Sequence, residues 1–263
     1  MMKTNLSFQP QFPTLLHEET AQLVRDFFLP LPNVDTILIV NSCARGQAVP
    51  ESDLDFAILM QPGTHTQEIA NLENAWQNHE RSHPRIQEYK KSHPFAHLHL
   101  DLITGQYEPL SIEVGEPIDY FEIEIGNQIA YSAPMGEAGA YFQELQSTWL
   151  PYYPETLRWE RLEKVKQACR YDLDHIPHFV RRGLYFQALD ILIKAFQEYL
   201  QALFIAHHTY PIAYNKWIKM QVADWLGLPE LYSKLPGILS IADLESEEIC
   251  EKAAQIGVLL DGV

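Results

Sequence analysis

Basic residues are scarce in this chain: 19 Lys and Arg stand against 35 Asp and Glu, a formal charge of −16 over 263 residues. So acidic a surface repels the phosphate backbone and anionic lipid headgroups, which argues against a long nucleic acid or a membrane as partner. Cysteine is scarcer still. Cys43, Cys169 and Cys250 are far apart and odd in number, so no zinc spacing or disulfide framework can be written, and a reducing, cytoplasmic setting is expected. No apolar run approaches a membrane span, and the opening MMKTNLSFQPQFP lacks the apolar stretch of a secretory signal. Internal repeats and low-complexity tracts are missing too. What is present is a globular composition, 46% apolar and 21% charged, long enough for one large domain or two ordinary ones.

Periodicity divides the chain. Segment 14–28 places Leu16, Leu23, Val24 and Phe27 at helical spacing, and LPLP ends it. DTILIV (35–40) and LDFAILM (54–60) read as strands, the second stopped by Gln61-Pro62-Gly63. Ile69, Leu72, Trp76 and His79 predict a helix over 66–80 behind a threonine cap. FAHLHLDLI (95–103) alternates, with His97, His99 and Asp101 on one face and Leu98, Leu100 and Leu102 on the other. Segments 118–125 and 129–133 read as a hairpin around Gly126-Asn127. Beyond Pro151 strands give way to helices, expected over 155–176, 183–206, 213–226 and 241–260. The expected fold is α+β: a mixed sheet flanked by helices over residues 1–148, then a helical domain over 149–263 for acceptor binding or interaction.

The stretch NSCARGQAVPESDLDFAIL, residues 41–59, carries the chemistry. Strand alternation puts Asp53 and Asp55 on one face, with Leu54 and Phe56 on the other. Two adjacent carboxylates repel, and burying both unpaired costs on the order of several kcal/mol, so a positive charge belongs between them. A hard divalent cation fits, and Mg²⁺ commonly takes carboxylates together with substrate phosphates. Asp101 offers a third acid from another strand. Three acids from two strands have room for two ions, one polarising an attacking hydroxyl and one the phosphate with its leaving group. Asn41-Ser42 directly follows DTILIV, where a nucleotide phosphate would meet backbone N–H groups and a hydroxyl. Arg45-Gly46 makes a second bend, and ten residues separate Ser42 from Asp53.

A strand, a serine turn, a ten-residue return, Asp-x-Asp in a second strand and a lone Asp in a third: this pattern resembles the nucleotidyltransferase superfamily typified by DNA polymerase β. Ser42-Cys43-Ala44-Arg45-Gly46 with Ser52-Asp53-Leu54-Asp55 is most similar to its small bacterial branch, which includes minimal and aminoglycoside nucleotidyltransferases. The likeness spans roughly residues 14–133. It implies that Asp53 and Asp55 bind metal and nucleotide phosphates, that Asp101 completes the site, and that Ser42 touches the triphosphate. It also implies Mg²⁺-dependent transfer of NMP from an NTP, ATP foremost, to a small-molecule hydroxyl with release of pyrophosphate. The acidity of the chain would suit a cationic acceptor such as an aminoglycoside. The departure is Asn41, where the family has a glycine used for positive φ and close phosphate approach. Asparagine is the other residue that tolerates the left-handed region, so the bend is expected to survive while the side chain crowds the phosphates.

Other readings stay open. The acceptor could be a protein side chain, as for minimal members of the family, or the chain could bind nucleotide without turnover because of Asn41. His97 and His99 share the face of Asp101, so a His-x-His-x-Asp metal triad is conceivable. Arg45 either reaches a phosphate or pins its loop. Gln187, Asp190, Lys194, Gln197 and Gln201 form one helical stripe, either a solvent face or a cleft lining with Lys194 near the nucleotide; Lys216 is a similar candidate. Glu80, Glu88, Asp172 and Asp174 are candidate general bases for a hydroxyl acceptor. Cys43 has no visible acid–base partner and is not read as a nucleophile.

Overall fold

The computed structural model describes residues 8–110 and 114–263. Two compact units emerge, one of residues up to 107 with 124–150, the other of 108–123 with 151–263. Residues 108–123 therefore group with the C-terminal helices rather than with their sequence neighbours.

The first unit runs α1 (Leu15–Phe28), β1 (Val34–Ile39), α2 (Asn41–Ala44), β2 (Leu54–Met60), α3 (Thr66–Ser82), α4 (Pro84–Lys90) and β3 (Leu98–Ile103). It resumes, after α5 (Phe121–Ile125) at the junction, with β4 (Ala133–Pro134) and α6 (Ala140–Trp149). The sheet is mixed, in the order β3-β2-β1-β4. β1 pairs antiparallel with β2 and β4, while β2 pairs parallel with β3 through the α3–α4 crossover. In β2 every residue except Asp55 is buried, as befits a continuous apolar run in a central strand. Along β3 the half-buried Leu98, Leu100 and Leu102 alternate with exposed His99 and Asp101. Ile37, Ile39, Phe56, Ile58 and Met60 share a core with Val24, Phe28 and Trp76 of the helices. Each such side chain contributes about 1.5–3 kcal/mol on burial.

The helix expected over 14–28 begins at Leu15, with Thr14 Oγ1 accepting from His17 N at 3.4 Å. The cap of α3 differs from the threonine expected. His65 precedes the helix, and the Glu68 carboxylate accepts from His65 N at 3.1 Å. The start of α6 is fixed from a distance. Asp35 of β1 accepts from Tyr141 N and Phe142 N at 3.1 and 3.0 Å, and Gly139 N donates to Thr36 Oγ1 at 2.9 Å. A methyl group on Gly139 would overlap the Asp35 carboxylate. Gly139→Ala is therefore expected to displace this cap and cost about 2 kcal/mol, the upper figure for losing an N-cap. A urea-unfolding midpoint unchanged from wild type would show that the carboxylate can step aside.

The second unit holds α7 (Glu155–Arg181), α8 (Tyr185–Ala206), α9 (Pro229–Ile238) and α10 (Glu248–Asp261). α7 and α8 form a helical hairpin turned at Gly183, whose φ of 70° is left-handed. Leu162, Val165, Cys169 and Ile176 pack into its core, as their spacing predicts. The same core contains polar groups. Arg161 donates from Nε to Glu122 Oε1 at 2.5 Å and from Nη2 to Oε2 at 2.8 Å, and its Nη1 lies 2.8 Å from Asp119 Oδ2. Tyr153 Oη and Gln201 Nε2 also donate to Glu122, each at 2.9 Å.

Two sequence expectations are corrected here. Residues 118–133 form no hairpin; α5 runs into a π-helical turn, Gly126–Ala130. The alternation of IDYFEIEI coexists with a spacing of four, and it is Phe121, Ile125 and Ile129 that are buried. Asp119 Oδ1 starts the turn by accepting from Phe121 N at 2.8 Å. Nor is 213–226 one helix. Gln221, fully buried, accepts from Ile212 N and donates to the carbonyls of Ala213 and Lys216, tying 212–216 into an irregular loop. Trp217 follows at φ 56°, and a π-helical turn spans Met220–Trp225.

Candidate metal centre

The site is built where β1 ends. Val40 N donates to Asp55 O at 3.0 Å, and the chain then bends at Asn41, whose φ of 56° is left-handed. Asparagine tolerates that region because its side chain is short and polar, so this bend needs no glycine. Cys43 and Ala44 anchor α2 in the core, and Gly46, at φ 69°, turns the chain towards Asp53.

The backbone around Asp53 is held from behind. Ser52 O accepts from His17 Nε2 at 3.0 Å and from Tyr89 Oη at 3.3 Å. A carbonyl only accepts, so His17 carries its proton on Nε2 and takes the Thr14 hydroxyl proton on Nδ1 at 2.7 Å. Leu54 N donates to His97 O at 3.0 Å, which locks β2 to β3. His17 and Tyr89 are positioning residues that the sequence reading missed. Their only sequence signal is a polar group on the apolar faces of α1 and α4.

The parallel register sets Asp55 beside His99, and Ala57 beside Asp101. Ligand atoms of Asp53, Asp55 and His99 all lie within 4.8 Å of one another. His99 Nε2 is 3.6 Å from Asp53 Oδ2. Asp101 shares the face of His99 but stands two pairs further along the ladder, and it does not join this group among the described residues. Two carboxylates and an imidazole at this spacing suit a divalent cation. Carboxylates favour Mg²⁺ or Mn²⁺, and the imidazole moves the preference towards Mn²⁺.

Arg45 lies close enough to Asp55 to feel its charge. Its Nε donates to Gln47 Oε1 at 2.9 Å and its Nη1 to Asn127 Oδ1 at 3.1 Å. Burial pulls the guanidinium down to about 10, against the opposing pull of Asp55 and Tyr131, so it remains a cation at neutral pH. Of the two roles open to Arg45, the hydrogen bonds are those of a loop pin. Burial, then Asp55 and Asp53, push the Cys43 thiol up to about 12. It stays protonated at neutral pH and is no nucleophile.

The other candidate residues lie elsewhere. Lys194 Nζ is 2.7 Å from Asp172 Oδ2 and 3.3 Å from Glu198 Oε1, engaged within the helical unit. Lys216 is exposed, and its carbonyl accepts from Gln221. The stripe through Gln187, Asp190, Lys194, Gln197 and Gln201 is neither wholly solvent face nor wholly cleft, running from exposed Gln187 to buried Gln201. Among the candidate bases, Glu80 pairs with Lys90, Glu88 with Arg85 and Asp172 with Lys194, while Asp174 is exposed.

No family model and no curated protein matches the chain. Among solved structures it is similar to a nucleotidyltransferase-like protein from Exiguobacterium sibiricum 255-15. The two share 14% identity over 93% of this chain and 74% of that one, at a TM-score of 0.47. So distant a likeness carries no argument about residues or activity, and the centre stands on its own geometry.

Proposed function

We propose that this chain is a metal-dependent nucleotidyltransferase of the DNA polymerase β-like superfamily, moving NMP from an NTP to the hydroxyl of a small molecule. The observation that carries the reading is the convergence of Asp53, Asp55 and His99 beyond the left-handed Asn41-Ser42 bend. Asp53, Asp55 and His99 would hold the divalent ion. Bound there, the ion would neutralise the triphosphate and stabilise charge on the phosphoryl oxygens. The chain's own groups do the rest. Ser42 offers its hydroxyl to the phosphates from α2. Arg45, pinned to Gln47 and Asn127, sets a fixed positive charge beside Asp55. His17 and Tyr89 keep the Asp53 backbone from moving as charge develops, the preorganisation on which electrostatic catalysis depends.

Asn41 favours a second reading, nucleotide binding without turnover, because a side chain at this left-handed bend would crowd approaching phosphates. One experiment separates the two. Each labelled NTP is incubated with Mg²⁺ or Mn²⁺ and a panel of hydroxylated acceptors, amines among them, with pyrophosphate release as the readout. Metal-dependent release with labelled acceptor is the expected result, with Mn²⁺ at least equal to Mg²⁺. Asn41→Gly keeps the left-handed bend and removes the crowding side chain, so its rate is expected to equal or exceed that of wild type. Nucleotide binding without pyrophosphate release in both proteins would leave only the binding reading, and label on the protein itself would point to a side-chain acceptor.

A further inference from the structure

The helical unit buries a second set of ionisable groups around a small cavity. Buried Asp119, Glu198 and Gln201 with exposed Glu116 form its polar wall, and Val165 and Ala168 line it with apolar surface. Its volume is about 10 Å³, room for one occupant the size of a water molecule.

Charge around this cavity does not balance. Lys194 serves two carboxyls, Asp172 and Glu198. Arg161 likewise serves Asp119 and Glu122. Gln201 joins the two sets, its Nε2 donating to Asp119 O at 3.1 Å and to Glu122 Oε2 at 2.9 Å. Each set holds one acid more than it has cations, and in the Lys194 set a proton on Glu198 makes up the difference while no cation is bound. Among the described residues, Glu198 Oε2 and Asp119 Oδ2 are buried and accept no hydrogen bond, Asp119 Oδ2 having only the misaligned approach of Arg161. Glu198 is 3% exposed and Asp119 7%. Buried acceptors left so are costly, and an occupant that brings positive charge relieves both.

We propose that this cavity binds one small monovalent cation, of ammonium or potassium size, held by Glu198 and Asp119. The size of the cavity limits it to one ion. A divalent ion is disfavoured, because Lys194 and Arg161 flank the wall. Among the described residues, three acidic or imidazole ligand atoms converge at Asp53, Asp55 and His99 and not here.

The cation competes with a proton. Burial first, then the charge of Asp172, pushes the Glu198 carboxyl well above the usual carboxylate range, with Lys194 opposing. The groups facing it are Asp172 and Cys169 on α7, Lys194 on its own helix, and Asp119 and Glu116 from the preceding segment. At neutral pH Glu198 keeps its proton. Entry of the ion exchanges one for the other: the carboxylic acid becomes a carboxylate bound to the cation, and one proton leaves to solvent. Apparent affinity is then expected to rise about tenfold per pH unit while Glu198 holds its proton and to level off once the proton is lost.

Calorimetric titration of the full chain with ammonium or potassium chloride, at ionic strength held constant by choline chloride, tests this. Saturable binding of one ion is expected, with proton uptake by the buffer, the stated pH slope, and loss of both binding and slope in Glu198→Gln. Asp53→Asn is expected to bind the monovalent ion as wild type does, so failure of the nucleotidyl-transfer reading leaves this one standing. Crystals soaked in rubidium chloride should show anomalous density beside Glu198, which decides the matter even if the variant does not fold. Binding no stronger than in choline, density elsewhere, or a pH-independent response unchanged in Glu198→Gln would mean that the cavity holds water alone.

Discussion

Asp53→Asn is expected to weaken Mn²⁺ binding by more than about 100-fold and to abolish metal-dependent nucleotide binding with it. Loss of an outer partner of a metal ligand already costs 10–100-fold, so loss of a direct ligand should exceed that range. Asp55→Asn should match it, because the two carboxylates share one face and supply the negative charge of the group. His99→Ala removes a neutral donor and should cost about tenfold. Asp101→Asn should cost least, since its register partner is Ala57 rather than Asp55. The ranking matters more than any one value. If Asp101→Asn proved as severe as Asp53→Asn, the ion would lie further along β3, where the sequence pattern first placed it. The metal-free protein supplies a signature of opposite sign. Asp53 and Asp55 repel one another across the empty group, so either Asn variant should be more stable in chelator, by roughly 0.5 kcal/mol. Stability that falls in chelator, with Mn²⁺ affinity within twofold of wild type, would identify both acids as ordinary solvated side chains.

The face of these acids was legible in the sequence; their partner was not. Alternation fixes which side of a strand a residue occupies, so Asp53 and Asp55 could be placed together, as could His99 and Asp101. It says nothing about how far β3 slides along β2. That register is set by contacts such as Leu54 N to His97 O, and a step of two pairs decides whether His99 or Asp101 meets Asp55. Spans were legible where one physical cause dominated. The unbroken apolar run of LDFAILM gives β2, and four spaced apolar residues give α1. They were lost where a single buried side chain overrode the pattern. Asp119 starts a helical turn inside an alternating segment, and Gln221 gathers 212–216 into a loop where spacing suggests helix. The left-handed bend at Asn41 was legible because only glycine and a few small polar residues visit that region, and asparagine stands where the pattern requires it.

Arg161→Met is expected to destabilise the protein by about 3–5 kcal/mol at pH 7, the cost of removing one partner from a buried ion pair. The carboxylates it leaves behind explain the size. Glu122 is fully buried and Asp119 nearly so, and among the described residues neither has another cation in hydrogen-bond contact. Tyr153 and Gln201 still donate to Glu122, which satisfies its oxygens but not its charge. In the variant, Glu122 should therefore keep a proton to a higher pH than in the unfolded chain. A carboxyl raised in this way loses stability as pH climbs through the interval between its unfolded and folded values. The deficit against wild type should then shrink as pH is lowered towards 5, and urea titrations at several pH values would trace it. Glu122→Gln placed on Arg161→Met removes the stranded charge and should restore part of the loss at pH 7. A deficit below about 1 kcal/mol, constant with pH, would mean that water reaches Glu122. The mixed core of acid, guanidinium and tyrosine would then be solvated, and the Glu198 and Asp119 oxygens that accept no hydrogen bond would lose their claim on a cation.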